Sequence, residues 1–201
     1  MPAHHSPPRL SRSDTALLIV DVQEKLLPKI ADGALLVRNI AFLIDVCRAM
    51  EIPVTVTEQY PKGLGPTVSE LTSRLPGDRP EKVAFSSCAI DSVVAGFQTS
   101  ARPKILVCGI ESHVCVMQTV LDLLARGFTP FIAVDAISSR YRHDHEVAIR
   151  RMEQAGAVPV TVEMAAFELT AVAGTPLFKD ISRLVQERMK SLNPNGTALN
   201  A

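Results

Sequence analysis

The sequence contains no tryptophan, and aromatic residues make up only 4% of its 201 positions. A surface for stacking nucleic-acid bases is therefore not to be expected. Charge is just as uninformative in sign: 21 Lys+Arg stand against 21 Asp+Glu, for a net charge of +0. Nothing draws the chain electrostatically to nucleic acid or to an anionic membrane. No run approaches the ~18 apolar residues of a membrane-spanning helix. Cysteine is scarce. Cys47, Cys88, Cys108 and Cys115 include no C-x-x-C, which removes the usual zinc-knuckle and thioredoxin-type signatures. Four such thiols fit a reducing, cytoplasmic setting, with a disulfide left open. Glycine-rich dinucleotide and phosphate-loop patterns are missing, as is G-x-S-x-G, so neither a nucleotide cofactor nor a serine-hydrolase elbow is supported. The five histidines form no H-x-x-x-H and no Asp-x-His; His143 and His145, two apart, fall on different faces of a helix. No metal and no cofactor are expected.

What the chain does have is 47% hydrophobic residues, enough for one good-sized core. Met1–Ser13 is rich in Pro, His and Arg without an apolar segment. It reads as a disordered arm in preference to a transit peptide. One domain follows over 14–190, then a flexible tail over 191–201. Thr15–Val20 is a short apolar run typical of a strand covered on both faces. A helix is expected over Ala34–Met50 and strands over Pro53–Thr57 and Val83–Phe85. Gln59–Pro66 reads as loop, and Thr67 as the cap of a short helix with Glu70 in the capping-box position. Then come a helix over Asp91–Thr99 with Asp91 as N-cap, strand 104–108, helix 113–126, strand 129–134 and helix 143–155. An edge strand at Val158–Thr161 carries Pro159, which cannot donate to a ladder. A last helix spans Pro176–Lys190, with Leu177, Ile181, Leu184 and Val185 on one face. Strands alternating with helices predict an α/β fold: a three-layer αβα sandwich around a mostly parallel, Rossmann-like six-stranded sheet.

In such a sheet ligands bind beyond the carboxyl ends of the strands, where strand order reverses. Asp21 closes the first strand and Cys115 follows the strand expected beside it, so the two should converge. At the junction between strand and helix, Cys115 would meet the positive end of a helix dipole, which lowers a thiol pKa; the plain alternative is a buried hydrophobe. Cys47 and Cys108 lie in apolar elements and read as inert core. Asp21 admits three roles: metal ligand, general base or cap. Lys82 is either a solvated lysine or a cation that stabilises negative charge beside Asp21 and the thiolate.

Three segments carry a resemblance: Leu18-Ile19-Val20-Asp21-Val22-Gln23, Glu81-Lys82-Val83-Ala84-Phe85-Ser86, and Gly109-Ile110-Glu111-Ser112-His113-Val114-Cys115-Val116. Over about Asp14–Lys190 the chain resembles the isochorismatase-like, or cysteine hydrolase, superfamily. Val56–Gly65 is similar to its isochorismatase-domain-containing subgroup. The resemblance implies a catalytic triad of Asp21, Lys82 and Cys115. It also implies a cis peptide between Ile110 and Glu111, beside an oxyanion site at the N–H groups of Glu111 and Cys115. Nicotinamidases of the superfamily carry an Asp-x-His metal site where this chain has Glu58, Gln59 and Tyr60, so the likeness to them stops there. Members that cleave isochorismate do not need the cysteine. The resemblance with Cys115 present therefore implies nucleophilic attack on a small amide-like C–N bond. The alternatives are a vinyl-ether hydrolase and a catalytically silent binding protein of the same fold. Gln23, Tyr60, Phe85 and His113 are expected to line the substrate pocket. The partners expected are a small-molecule substrate and further copies of the chain, with neither nucleic acid nor membrane. Self-association is inferred because the apolar face of the last helix has no evident place in a two-sided sandwich.

Overall fold

A computed structural model describes residues 8–75 and 77–192 of the chain. Its centre is β1 (Thr15–Val20), buried at every position. The alternation of a strand sends Leu17 and Ile19 to one face and Ala16, Leu18 and Val20 to the other. Around it lie α1 (Gly33–Ala49), β2 (Val54–Gln59), α2 (Pro61–Leu64), α3 (Ser69–Thr72), β3 (Glu81–Lys82), α4 (Asp91–Thr99) and β4 (Lys104–Ile110). The chain continues through α5 (Met117–Ala125), β5 (Thr129–Ser138), α6 (Arg142–Ala155), β6 (Val158–Val160), α7 (Val162–Thr170) and α8 (Pro176–Leu192). The six strands form one parallel sheet in the order β3-β2-β1-β4-β5-β6. α1, α7 and α8 bury apolar residues against one face, and α4, α5 and α6 against the other. The three-layer α/β sandwich read from the sequence is present, with its switch point between β1 and β4.

Several local expectations change. β3 lies two residues earlier than expected. After Lys82 the chain leaves the sheet: the Lys82 Nζ donates to the Phe85 carbonyl at 2.8 Å, curling the segment back, and Val83 is left 80% exposed. Thr67 does not cap α3. Its N–H and hydroxyl both go to Glu58 Oε1, at 2.7 and 2.6 Å. Asp91 is the first residue of its helix, with Ile90 at the N-cap. The segment read as loop contains the last residue of β2 and the single turn α2. α7 was not anticipated, although Thr161 caps it by accepting from the Met164 N–H at 3.2 Å.

The expected arm ends earlier than residue 13. Leu10 is buried, its N–H donates to Glu168 at 3.0 Å, and Arg12 Nε donates to the Met50 carbonyl at 2.7 Å. Residues 1–7 of that arm lie outside the described residues. So do 193–201 of the tail, whose first two residues continue α8. The premise for self-association also falls. Ile181 is fully buried, and Leu177, Leu184 and Val185 pack on the same core, so α8 closes its own subunit.

β1 and β4 approach closely at one point. Val20 pairs with Gly109, whose φ is +119°. A Cβ placed there would lie 2.1 Å from the Val20 carbonyl oxygen and 2.6 Å from its nitrogen. Backbone, unlike a flexible side chain, cannot step aside. Gly109→Ala should combine ~1–2 kcal/mol of left-handed strain with ~1–3 kcal/mol of overpacking. Urea unfolding of this variant should show a loss of about 2–5 kcal/mol; a loss below about 0.5 kcal/mol, the range of ordinary surface substitutions, would contradict this account of the β1–β4 contact.

Candidate functional site

At the end of β1 the chain turns sharply. Asp21 adopts φ +54°, a left-handed conformation that aspartate tolerates better than most residues. Its N–H still donates to the Thr57 carbonyl at 3.1 Å, so the side chain is held at the carboxyl end of the sheet. A buried carboxylate needs partners. Lys82, at the end of β3 two strands away, supplies the main one: its Nζ lies 2.5 Å from Asp21 Oδ2, and both side chains are almost wholly enclosed, at 1% and 0% exposure. The same ammonium donates to Gln59 Oε1 and to the Phe85 carbonyl, each at 2.8 Å. All three ammonium donors are thereby engaged. Lys82 is therefore not the solvated lysine of the plain reading.

The second carboxylate oxygen accepts from the Thr57 hydroxyl at 2.9 Å. With its proton so placed, Thr57 accepts from Ser87 Oγ at 3.0 Å. The Ser87 N–H in turn donates to Thr119 Oγ1 at 2.9 Å, and the Thr119 hydroxyl donates to the Cys115 carbonyl at 2.6 Å. One chain of hydrogen bonds thus joins the carboxylate to the backbone of the cysteine.

Cys115 sits in a single π-helical turn, Ser112–Val116, that leads from β4 into α5. The Ile110–Glu111 peptide before it is cis, as the resemblance implied. The Glu111 carbonyl accepts from the N–H groups of Val114 and Val116, one on either side of Cys115, each at 3.1 Å. Cys115 is 6% exposed, and it lies near enough to Asp21 for each group to act on the acidity of the other. The structure therefore brings Asp21, Lys82 and Cys115 together.

The electrostatics differ from the sequence expectation. Burial, and then the negative charge of Asp21, push the Cys115 thiol up to about 12; Lys82 and the Glu111 N–H pull the other way without prevailing. A dipole-lowered thiol is not what the fold makes. Loss of water outweighs the helix end, and the nearest full charge is negative. Resting acidity does not single out this cysteine either, since burial pushes Cys88 up to about 11 and Cys47 up to about 12. Burial also raises the Asp21 carboxyl above its usual value, against the pull of Lys82, which makes it a stronger base for a neighbouring thiol.

The four residues expected in the pocket have separate fates. Gln23 is fully buried, and its amide is spent on backbone: it donates to the carbonyls of Gln59 (3.0 Å) and Gly65 (2.6 Å) and accepts from the Gln59 N–H (2.8 Å). It clamps the chain after β2 and does not line a pocket, a correction that follows from its saturated hydrogen bonding. Tyr60 and Phe85 stand 54% and 51% exposed on the two loops that meet at Lys82. His113 is directed to Ser139 Oγ, 2.9 Å from its Nδ1. Thr57, Gln59, Ser87 and Thr119 were missed; polar residues at strand ends were the available signal for the first two. In the stretch where nicotinamidases bind metal, Glu58 is engaged by Thr67 and Gln59 by Lys82. Among the described residues no group of three or more His, Cys, Asp or Glu is placed to hold a metal ion. Among the same residues no helix is long and apolar enough to cross a membrane.

The isochorismatase domain family model matches residues 15–164. The chain belongs to the isochorismatase family. Isochorismatase domain-containing protein 2A of Mus musculus is 40% identical over 181 residues, covering 89% of this chain and 86% of that protein. The secreted isochorismatase effector Isc1 of Phytophthora sojae (strain P6497) is 35% identical over 191 residues, covering 92% and 90%. Among solved structures, MAR1 ribonuclease from Caenorhabditis elegans superposes with a TM-score of 0.84 at 35% identity, over 96% of this chain and 100% of that one. The YcaC gene product of Escherichia coli, an octameric hydrolase of unknown specificity, gives 0.80 at 26% identity, over 94% and 99%.

The charges around this isochorismatase-family cysteine set a sign that can be measured. The Asp21 charge raises the thiol pKa and the Lys82 charge lowers it. In Asp21→Asn the alkaline limb of Cys115 alkylation should therefore move to lower pH, and in Lys82→Met to higher pH. Peptide-mapped iodoacetamide labelling across pH measures both. Shifts of the opposite sign, or none, would mean the three groups do not interact as placed.

Proposed function

We propose that this chain is a hydrolase that uses Cys115 as nucleophile on a small amide-like C–N bond. The observation that carries the reading is the enclosed set of Asp21, Lys82 and Cys115 at the switch point of the sheet. Membership of the isochorismatase family supports a hydrolase-type activity. A thiol held protonated at rest needs a base at the moment of attack, and Asp21, strengthened by burial, is in position to be that base. As the Cys115 sulfur bonds to the carbonyl carbon, its proton passes to Asp21. The oxyanion forms against the N–H groups of Glu111 and Cys115. Asp21 then gives the proton to the leaving nitrogen, the C–N bond breaks, and a thioester remains. Water attacks the thioester with Asp21 taking a proton, and the carboxylic acid and free thiol are released. Lys82 keeps its charge beside Asp21 throughout, so that the carboxylate is available as a base. Ile110 and Glu111 act through the turn they shape, and Tyr60 and Phe85, exposed on the loops beside Lys82, would be the side chains that meet an arriving substrate.

A second reading has a specific observation behind it: the Caenorhabditis elegans relative is named as a ribonuclease. Phosphodiester cleavage would need RNA to reach a carboxylate that is fully buried, on a chain whose net charge is +0. Assembly into homo-oligomers is supported by the octameric relative. A cytoplasmic location fits four unpaired thiols, while the Phytophthora relative is named as secreted.

The test is an amide library with mass-spectrometric detection of adducts, run beside labelled RNA. An acyl adduct on Cys115 and amide turnover are expected. Asp21→Asn should lower turnover by ~10²–10⁴, the range for loss of a general base, and Cys115→Ala should abolish it. RNA cleavage that Cys115→Ala removes, with no amide turned over, would replace this reading by the second. Because Glu58 and Gln59 are committed to Thr67 and Lys82, turnover should persist in EDTA; loss in EDTA with recovery on adding zinc would overturn the metal-free mechanism.

A further inference from the structure

The nucleophile turn is held by something the triad does not include. Three consecutive side chains, Glu111, Ser112 and His113, all reach the same segment, the β5–α6 connection and the first turn of α6. Glu111 Oε2 accepts from the Arg140 N–H at 3.0 Å and from Arg140 Nε at 3.1 Å. Ser112 Oγ lies 2.9 Å from His145 Nδ1, and His113 Nδ1 lies 2.9 Å from Ser139 Oγ. Consecutive residues ordinarily point in different directions. That all three end on residues 139–145 makes this segment a clamp on the loop that carries Cys115.

The middle contact is made by Ser112, the first residue of the π-helical turn that carries Cys115. Ser112 is fully buried, while His145 is half-buried. Behind the clamp is a cleft of about 560 Å³, lined by Ser139 and His145 together with Leu35, Ile137 and Ile149. Packing is thus incomplete beside Ser139 and His145, so on that side the polar contacts are what join the segment to the turn. Burial lowers the pKa of His145 from its usual value, so the ring is neutral near pH 7. With its proton on Nε2, Nδ1 accepts the Ser112 hydroxyl proton. Charged neighbours on its own helix, Arg142, Asp144 and Glu146, are accompanied by His113 and the Glu111–Arg140 pair on the clamp and by Asp32 and Asp135 across the cleft.

We propose that His145 is a positioning residue for the nucleophile: through Ser112 it sets the orientation of the Ser112–Val116 turn and so the approach of Cys115 to Asp21. The inference rests on the reading of Cys115 as nucleophile. It predicts that the bond, and not the shape or bulk of the imidazole, is what matters. A displacement of the order of 1 Å in a positioned group can cost about a hundredfold in rate, so a loss of at least tenfold is a fair threshold.

The experiment measures the iodoacetamide labelling rate of Cys115 near pH 7 by peptide mapping, with thermal midpoints recorded in parallel. Ser112→Ala removes the hydroxyl. His145→Phe keeps the ring and removes the nitrogen. His145→Asn puts an amide atom where Nδ1 stood. The first two should each slow Cys115 labelling about tenfold or more, and the double variant should be no slower than either alone, because both delete one bond. His145→Asn should stay within about threefold of wild type. Labelling that is unchanged in the single variants, or losses that multiply in the double, would overturn the positioning role. A fall in the thermal midpoint shared by His145→Asn, with labelling slowed equally in it, would mean a structural role only. Failure of the underlying reading looks different: wild type itself would label Cys47, Cys88 or Cys108 ahead of Cys115.

Discussion

The buried pair of Asp21 and Lys82 constrains everything around it. Bringing two full charges out of water costs several kcal/mol for each ion, and only close contact with further hydrogen bonds offsets that. The fold answers at both ends. Thr57 takes the free carboxylate oxygen, while Gln59 and the Phe85 carbonyl take the remaining ammonium donors. Those partners then fix their own surroundings. Gln59 is held by Gln23, which also ties down Gly65, and the grip on Phe85 ends β3 after two residues. The loops over the carboxyl ends of β2 and β3 are thus arranged by the need to satisfy one ion pair.

The same low-dielectric setting explains why the cysteine behaves otherwise than its place in the sequence suggests. A helix end offers a partial charge, and only within its first turn. Here that turn is π-helical, the thiol has lost most of its water, and a carboxylate faces it. A protonated thiol beside a strengthened base is a coherent arrangement for chemistry in which the proton moves as the sulfur attacks. It also protects the sulfur while no substrate is bound, since the thiolate is the oxidisable form. Reactivity then depends on orientation more than on resting acidity, and this gives weight to the polar contacts that hold residues 111–113.

What the sequence by itself determined was the sheet, its two covered faces and the identity of the three converging residues. Thr15–Val20 is apolar after its first residue, and a strand with no polar face can only be central. Parallel crossovers then oblige the ends of β1 and β4 to meet at the switch point. Asp21 and Cys115 were legible from that alone; Lys82 needed the family resemblance. Tertiary structure alone decided how those residues are used. The direction of the thiol shift, the saturation of Gln23, the end of β3 at Lys82, the folding of α8 onto its own core and the Ser112–His145 contact all depend on partners far away in the chain. Burial and hydrogen bonding belong to the assembled environment. A pattern of residue types carries periodicity, but it does not carry which distant atom will occupy the last free donor or how much water a side chain will lose.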